Sequence, residues 1–355
     1  MADSPERSRK LVSVVVVNYL RAELLRACLK SLLDQTWPRL EILVVDNGSR
    51  DHSTDVVSSF ADRGIRLLAL TENRGFAAAV NLGVRRARGE LVALLNNDAV
   101  ASPEWIEQLV TGLDASPDVG MCASKILFYG SDVIDKAGHL IFPDGQNRGR
   151  GTGEPDRGQY ERTREVLAAD GCAALYRKEV LKQAGGFDER FFAYAEDADL
   201  ALRARWLGWR CLYVPGAVVH HHHSSTLGPY SPRKIYWVER NRLWLALKNF
   251  PLPLLLLNPF FSIYRLAWNL CAALLRRGAA GNFRREGSLW LLLRVQLQAW
   301  RDALAGAGPM LRKRRRIRTT RKIGDLEFCR HLFRFRISAY RLAFGDKERR
   351  QPCRR

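Results

Sequence analysis

The 355-residue sequence has no C-x-x-C pair, and its seven cysteines are scattered and odd in number. That argues against a disulfide frame or a zinc site and suits reduced thiols in a cytosolic setting. No internal repeat and no recognised nucleic-acid-binding motif occurs. The longest apolar stretch, residues 253–275, is long enough to cross a bilayer but is interrupted by Asn258, Pro259, Arg265 and Asn269. Acids are scarce in the last third: residues 229–355 hold 29 Lys+Arg against 7 Asp+Glu, whereas residues 1–228 hold 28 against 30. A near-neutral body with a cationic tail implies an anionic partner, membrane lipid or nucleic acid.

What is present is an alternation of patterns. After a mixed-charge tail over residues 1–10, residues 11–17 form a short Val-rich run, the mark of a buried strand rather than a signal peptide. Leu24, Leu25, Cys28, Leu29, Leu32 and Leu33 recur at helical spacing. Further strands are expected over 40–45, 65–70 and 90–95, and helices over 55–60 and 76–86. Such alternation predicts an α/β fold with a mostly parallel sheet. Ligands of these sheets sit outside the carboxyl ends of the strands, where Asn18, Asp46, Asn73 and Asn96 to Asp98 all fall. Residues 145–158, rich in Gly and Arg without an apolar period, are expected to form a mobile loop over the site.

VVDNGSRDHST sets Asp46 and Asn47 at a strand end before Gly48. A carboxylate there can accept hydrogen bonds from a base or ribose, or simply shape an Asx-turn. NRGFAAAVNLG opens a helix with Arg74 and Gly75 and carries Asn81. Backbone donors and Arg74 suit an anionic ligand; plain helix packing is the alternative. LLNNDA ends a buried strand with Asn96, Asn97 and Asp98. A hard divalent cation wants oxygen ligands, and one Asp suffices when a diphosphate supplies the others. GGFDERFFAYAEDADLALR puts Glu196, Asp197 and Asp199 directly after a Gly-Gly turn and an aromatic run.

In order and spacing these segments, with VSVVVVNYL and DGCAALYRKEV, resemble the motifs of family 2 glycosyltransferases, which are inverting, metal-dependent and of GT-A fold. Within that family the resemblance is to the rhamnosyltransferase-like group of bacterial O-antigen and polysaccharide synthesis, and it covers most of residues 11–210. It implies a GT-A (Rossmann-like) catalytic domain over 11–228. Its sheet is mostly parallel and flanked by helices, and a helical, basic C-terminal region follows. The implied reaction moves a sugar from a nucleoside diphosphate to an acceptor hydroxyl, with Mg2+ or Mn2+ as cofactor. Asn18, Asp46, Asn47, Arg74, Asn81, Asn96 and Asn97 become candidates for the donor. Asp98 becomes the metal ligand, since the chain has Asn96-Asn97-Asp98 where the family often has Asp-x-Asp. The family's Glu-Asp pair carries the base role to Asp197, with Glu196 positioning the acceptor. Asp199 reads as a first-turn acid favoured by the helix dipole. Asp170 and Gly171 are implied to line the acceptor pocket. A His after the strand over 212–219 completes the metal or diphosphate site, and the spacing to Ser225 fits His220; His222 would point the same way. Phe187 and Tyr194 stack on a sugar or fill core, and Phe191 and Phe192 are read as core.

The tail is expected to divide into a helical, membrane-associating region over 229–322 and a basic segment over 323–355. Arg240-Asn241-Arg242 faces either a phosphate or solvent. Residues 253–275 suit a helix lying in the interface, with Leu and Phe inward to the membrane and Arg outward. Residues 288–300 repeat the composition, and residues 311–322 hold eight basic residues. Half of them touching an anionic surface would contribute roughly 4 kcal/mol. The expected setting is peripheral, at the cytoplasmic face of the inner membrane, with a lipid-linked saccharide as acceptor and no nucleic acid. A polyprenyl-phosphate glycosyltransferase and a basic nucleic-acid- or membrane-binding protein without catalysis are the competing readings.

Overall fold

The computed structural model describes residues 10–223, 231–278, 280–282 and 288–345. Ser225, residues 1–9 and residues 346–355 lie outside them. Strands β1 (Val12–Asn18), β2 (Leu40–Asn47), β3 (Arg66–Leu70) and β4 (Leu91–Asn96) are parallel in the order β3-β2-β1-β4. Their connecting helices are α1 (Ala22–Leu33), α2 (Ser53–Ser58) and α3 (Phe76–Arg86). β5 (Ala99–Ala101) and α4 (Trp105–Leu113) lead to β6 (Val119–Phe128). Beyond the short strands β7 (Ile134–Lys136), β8 (His139–Ile141), β9 (Asn147–Gly149) and β10 (Arg164–Val166), β11 (Ala173–Arg177) inserts antiparallel between β4 and β6. After α5 (Lys178–Ala184) and α6 (Glu196–Trp206), β12 (Arg210–His221) pairs parallel with β6.

All seven residues of β1 are buried, as a Val-rich strand covered on both faces requires. Alternate residues feed two cores. Val14, Val16, Val44 and Leu95 pack with α1, α2 and α4 on one face. Val15, Val17, Val45 and Leu94 pack with α3, α5 and α6 on the other. Residues 145–158 differ from the expected mobile loop. Asn147–Gly149 pairs with His139–Ile141 as a hairpin, and the Arg150 guanidinium lies over Tyr160 and Tyr213. A Gly-rich sequence without apolar period holds its place here through cross-strand pairing and cation–π contact.

The remaining chain is helical. α7 (Pro232–Asn249) starts with Pro232 at its first turn, and Ser231 Oγ accepts the Lys234 amide. α8 (Leu252–Leu274) follows, then Leu289–Ala305, Ala307–Thr320, Asp325–Arg334 and Ala339–Phe344. The end of the described chain is packed rather than loose. Phe328 stacks on Trp206 at 3.8 Å, and Ile337 N donates to Ile141 O.

α8 reverses the expected orientation. Arg265 is only 3% exposed and donates to Asp144 Oδ2 at 2.6 Å and to Glu239 Oε2 at 3.0 Å. Arg242, also buried, donates to Glu239 at 2.7 Å, and Gln296 reaches the same carboxylate at 2.8 Å. Two buried carboxylates need cations, and that need outweighs any gain from presenting these arginines to phosphate or lipid. The outward row is apolar: Leu256 is 68%, Phe260 70% and Ile263 65% exposed. No described helix is long and apolar enough to cross a membrane.

Candidate functional site

The carboxyl ends of β1, β2 and β4 form a preassembled polar frame. Asn18 Nδ2 donates to Asp46 Oδ1 at 2.7 Å, and Asn97 Nδ2 donates to Asn18 Oδ1 at 2.7 Å and to Leu20 O at 2.9 Å. Ser49 N donates to the other Asp46 oxygen. Asn18 and Asp46 are thus buried framework, with Asn97 at the more open side. Asn47 does a different job. Its amide accepts from Arg74 N and donates to Asn73 Oδ1 and Gly75 O, so it fastens the turn before α3 and leaves the Arg74 side chain exposed. Asn81 does not join this group. It exchanges hydrogen bonds with the backbone of Phe187 and donates to Glu189, away from the strand ends. Position on the same helix as Arg74 is no guarantee of the same face.

Asp98 meets His221, not His220. β5 turns back antiparallel against β12, pairing His221 with Ala99, so the neighbouring His222 N donates to Asp98 O at 2.9 Å. His221 Nε2 lies 3.2 Å from Asp98 Oδ1, while Nδ1 lies 2.8 Å from Asp135 Oδ2 on β7. His220 occupies the opposite face of the strand, as period two demands. Burial opposes protonation of His221, but Cys172, Asp135 and Asp98 outweigh it and raise its pKa. Asp98 and Asp135 thus favour positive charge at this point, which a bound cation would supply in place of the proton on Nε2. That donor set, a carboxylate oxygen and an imidazole nitrogen fixed from behind by a second carboxylate, fits a divalent cation whose other ligands would be diphosphate oxygens. Asp98 is the accessible acid of the pair, at 13% side-chain exposure against 1% for Asp135.

Three residues, Asp170 to Cys172, tie this centre to Asp197. Asn96 N donates to Cys172 O at 2.8 Å, and Gly171 N donates to Asp197 Oδ2 at 3.1 Å. A side chain at position 171 would press on the Phe76 ring, whose edge lies 3.0 Å from where its Cβ would sit. Asp170 is fully engaged, with Oδ2 2.7 Å from Lys136 Nζ and 2.8 Å from His139 Nε2, and Oδ1 accepting Cys172 N. Asp170 and Gly171 thus back Asp197 instead of opening onto an acceptor. His139 Nε2 stands 3.9 Å from Asp197 Oδ2. Burial opposes its charge, but Asp197 and Asp170 prevail and raise its pKa. The His139–Asp170–Asp197 group has metal-like spacing, yet the Lys136 ammonium already supplies the cation there.

Glu196 and Asp197 differ sharply. Burial, and then the neighbouring Asp197, push the Glu196 pKa well above the ordinary glutamate value. Its Oε2 has no hydrogen-bond partner among the described residues. These surroundings favour the protonated form of Glu196, while Asp197 takes backbone N–H bonds on both oxygens. Asp199 points elsewhere, to Arg203, Lys248 and Asn249 in the interior.

The loop before this acid pair is strained. Phe192, Tyr194 and Ala195 have φ of 64°, 71° and 65°, a region costly for residues with a Cβ. Asn241 on α7 holds it, donating through Nδ2 to the carbonyls of Phe191, Ala193 and Tyr194 at 2.8–2.9 Å. The Phe192 ring lies 4.9 Å from Trp237, and Phe192 O accepts Phe76 N. Gly75 permits that approach, because a Cβ there would lie 2.7 Å from Phe192. Phe191 is core as expected. Asp135, Lys136 and His139 carry no sequence signal of their own, and Asn241 lies in a segment read for its flanking arginines. For His221 the signal was the four-histidine run, whose inward face alternation alone does not choose.

The model of Glycosyl transferase family 2 matches residues 13–185. An N-acetylglucosaminyl-diphospho-decaprenol L-rhamnosyltransferase of Mycobacterium tuberculosis is 30% identical over 241 residues, 61% of this chain and 78% of that protein. The chain belongs to glycosyl transferase family 2. The O-antigen biosynthesis protein RfbC of Myxococcus xanthus is 32% identical over 261 residues, 70% of this chain and 20% of that protein, so this family member spans about a fifth of that relative's length. A mannosyltransferase from Pyrobaculum calidifontis, solved with GDP-Man and Mn2+, superposes with a TM-score of 0.50 at 21% identity, covering 88% of this chain and 86% of the other. GalNAc-T7 with UDP, GalNAc and Mn2+ gives 0.55 at 16% identity, over 67% and 48%. These likenesses show the GT-A fold that the motifs implied.

Proposed function

We propose that this glycosyltransferase is an inverting, metal-dependent enzyme of cell-surface polysaccharide synthesis. It moves a sugar, rhamnose being the first candidate, from a nucleoside diphosphate to a hydroxyl of a lipid-linked saccharide. One observation carries the reading: the strand end bearing Asp98 and the helix start bearing Asp197 hang on the same turn, through Cys172 O and Gly171 N. A donor gripped at one end of that turn has its anomeric carbon within reach of a base at the other, and such alignment itself lowers the barrier.

Mg2+ or Mn2+ held by Asp98 and His221 Nε2 would supply Lewis-acid charge to the departing diphosphate. Asp135 keeps the imidazole turned to that task. Asn97 and Arg74 are the frame groups left for the nucleotide. Asp197 accepts the acceptor hydroxyl's proton as the new C–O bond forms and the bond to diphosphate breaks from the far side, which inverts the centre. Glu196, whose surroundings favour its protonated form, is assigned the role of orienting the acceptor by a donated hydrogen bond. His139 sits beside Asp197 and offsets its charge, and Asp170, itself paired with Lys136, holds the His139 ring in place.

A lipid-linked acceptor is supported by the substrate in the mycobacterial relative's name and by the apolar outer rows of α8 and Leu289–Ala305, beside a strongly cationic tail. Such helices suit peripheral attachment to an anionic membrane, taken here to be the cytoplasmic face of the inner membrane. The test is a panel of nucleotide sugars with a prenyl-diphosphate saccharide in vesicles. Transfer that needs Mg2+ or Mn2+, stops with chelator and gives the inverted anomer by NMR is expected; a retained anomer or chelator-insensitive transfer overturns it.

A further inference from the structure

A cavity of about 970 Å3 lies between α3, α5, residues 185–190 and the Ala307–Thr320 helix. It is separate from the metal-ligand pair and the base. Its floor is apolar, with Val84, Leu181, Phe187 and Ile317. Its rim carries Arg85, Lys182, Arg190, Lys313 and Arg316. The acids on its wall are already committed. Asp188 is spanned by Lys248 and Lys313, Glu189 accepts from Asn81 and faces Arg85, and Glu179 accepts from Gln183. Among the described residues no acidic side chain pairs with Lys182, Arg190 or Arg316.

Uncompensated cations around one mouth repel each other unless an anion joins them. The apolar floor adds a second requirement, because hydrocarbon gains by leaving water there and a bare phosphate does not. The volume is that of a small-molecule site. We infer that this cleft binds a lipid anion, its phosphate or diphosphate at the rim and its first hydrocarbon segment on the floor. The cleft also adjoins the catalytic machinery. Residues 186–190 run directly into the strained stretch at Phe192 to Ala195, and Lys248 bridges Asp188 on the cleft wall to Asp199 on the helix of the base. If the occupant is the acceptor's own lipid carrier, that assignment rests on the function proposed above; the binding itself does not.

The experiment is calorimetric titration of the full chain with inorganic pyrophosphate, farnesyl diphosphate and dihexanoyl phosphatidylglycerol. Farnesyl diphosphate is expected to bind about tenfold or more tightly than pyrophosphate. The exposed triple variant Lys182→Glu/Arg190→Glu/Arg316→Glu should lose about tenfold in affinity, and Asp98→Asn should lose little. The alanine version of the triple variant repeats the test should charge reversal disturb folding. Wild-type affinity in both triple variants, or equal affinity for pyrophosphate and farnesyl diphosphate, overturns the site. Competition by the phospholipid identifies a membrane lipid as occupant; binding of the prenyl diphosphate alone identifies the acceptor's carrier. Binding is read without turnover, so its failure leaves the transferase reading standing, and a chain inactive on every donor leaves this test valid.

Discussion

Asp135 holds His221 from behind: its Oδ2 lies 2.8 Å from Nδ1, leaving Nε2 to face Asp98 at 3.2 Å. His221→Ala should therefore raise the metal concentration for half-maximal activity by roughly 10–100-fold, Asp135→Asn by about tenfold, and His220→Ala very little. Mn2+ titrations of activity check this, and coincident curves for the two histidine variants would refute the assignment.

Asp197→Asn removes the proton acceptor and keeps the hydrogen-bonded shape. Turnover should fall by roughly 10²–10⁴-fold with donor affinity unchanged. Glu196→Gln, which keeps a hydrogen-bond donor at this position, should cost far less. Single-turnover rates with separately measured donor binding distinguish the two, and equal losses would argue against different roles.

Asn241 donates to three carbonyls of a strained loop. Asn241→Ala leaves buried acceptors unsatisfied at about 1–3 kcal/mol. The loop should relax, so that kcat drops while metal affinity holds. A kcat at the wild-type level would show that the loop needs no such clamp.

Leu256 and Phe260 are outward on α8. Each apolar side chain moved from water into lipid is worth about 1.5–3 kcal/mol. Leu256→Ser/Phe260→Ser should weaken flotation with anionic vesicles by roughly 100-fold or more without changing the melting temperature. Unchanged flotation would remove this face from the membrane contact.

Glu239 supports the helical region through its charge. Burial opposes ionisation, but Arg242 and Arg265 outweigh it and hold its pKa at about 2 against an ordinary 4.5. The folded value is the lower one, so this stability is present above 4.5 and is lost as pH falls from there towards about 2. The loss is on the order of 3 kcal/mol. Melting temperatures between about pH 5 and about pH 2.5 should fall in the wild type, with Glu239→Gln already low and flatter across that range. Parallel slopes for the two proteins would contradict this origin.

Much of the architecture was legible because it depends on neighbours in sequence. VSVVVVN is buried on both faces wherever it sits in a parallel sheet, and Asn18, Asp46 and Asn96 come at strand ends because the runs before them stop there. Asn81 and Arg265 misled for one reason. Each lies in a segment whose average character is right, a helix near the site or an apolar helix, while its own direction follows a distant partner: Phe187 for one, Asp144 and Glu239 for the other.

By itself, then, the chain's pattern determined the α/β alternation, the strand-end polar residues, the Glu-Asp pair and the division into a near-neutral body and a cationic tail. Periodicity and local charge encode such features directly. Only tertiary structure decided that His221 faces Asp98, that Lys136 and His139 support Asp170 and Asp197, and that α8 turns its arginine inward. Those outcomes depend on contacts between residues far apart in the chain, where burial of charge allows few arrangements and no local pattern records which one is met.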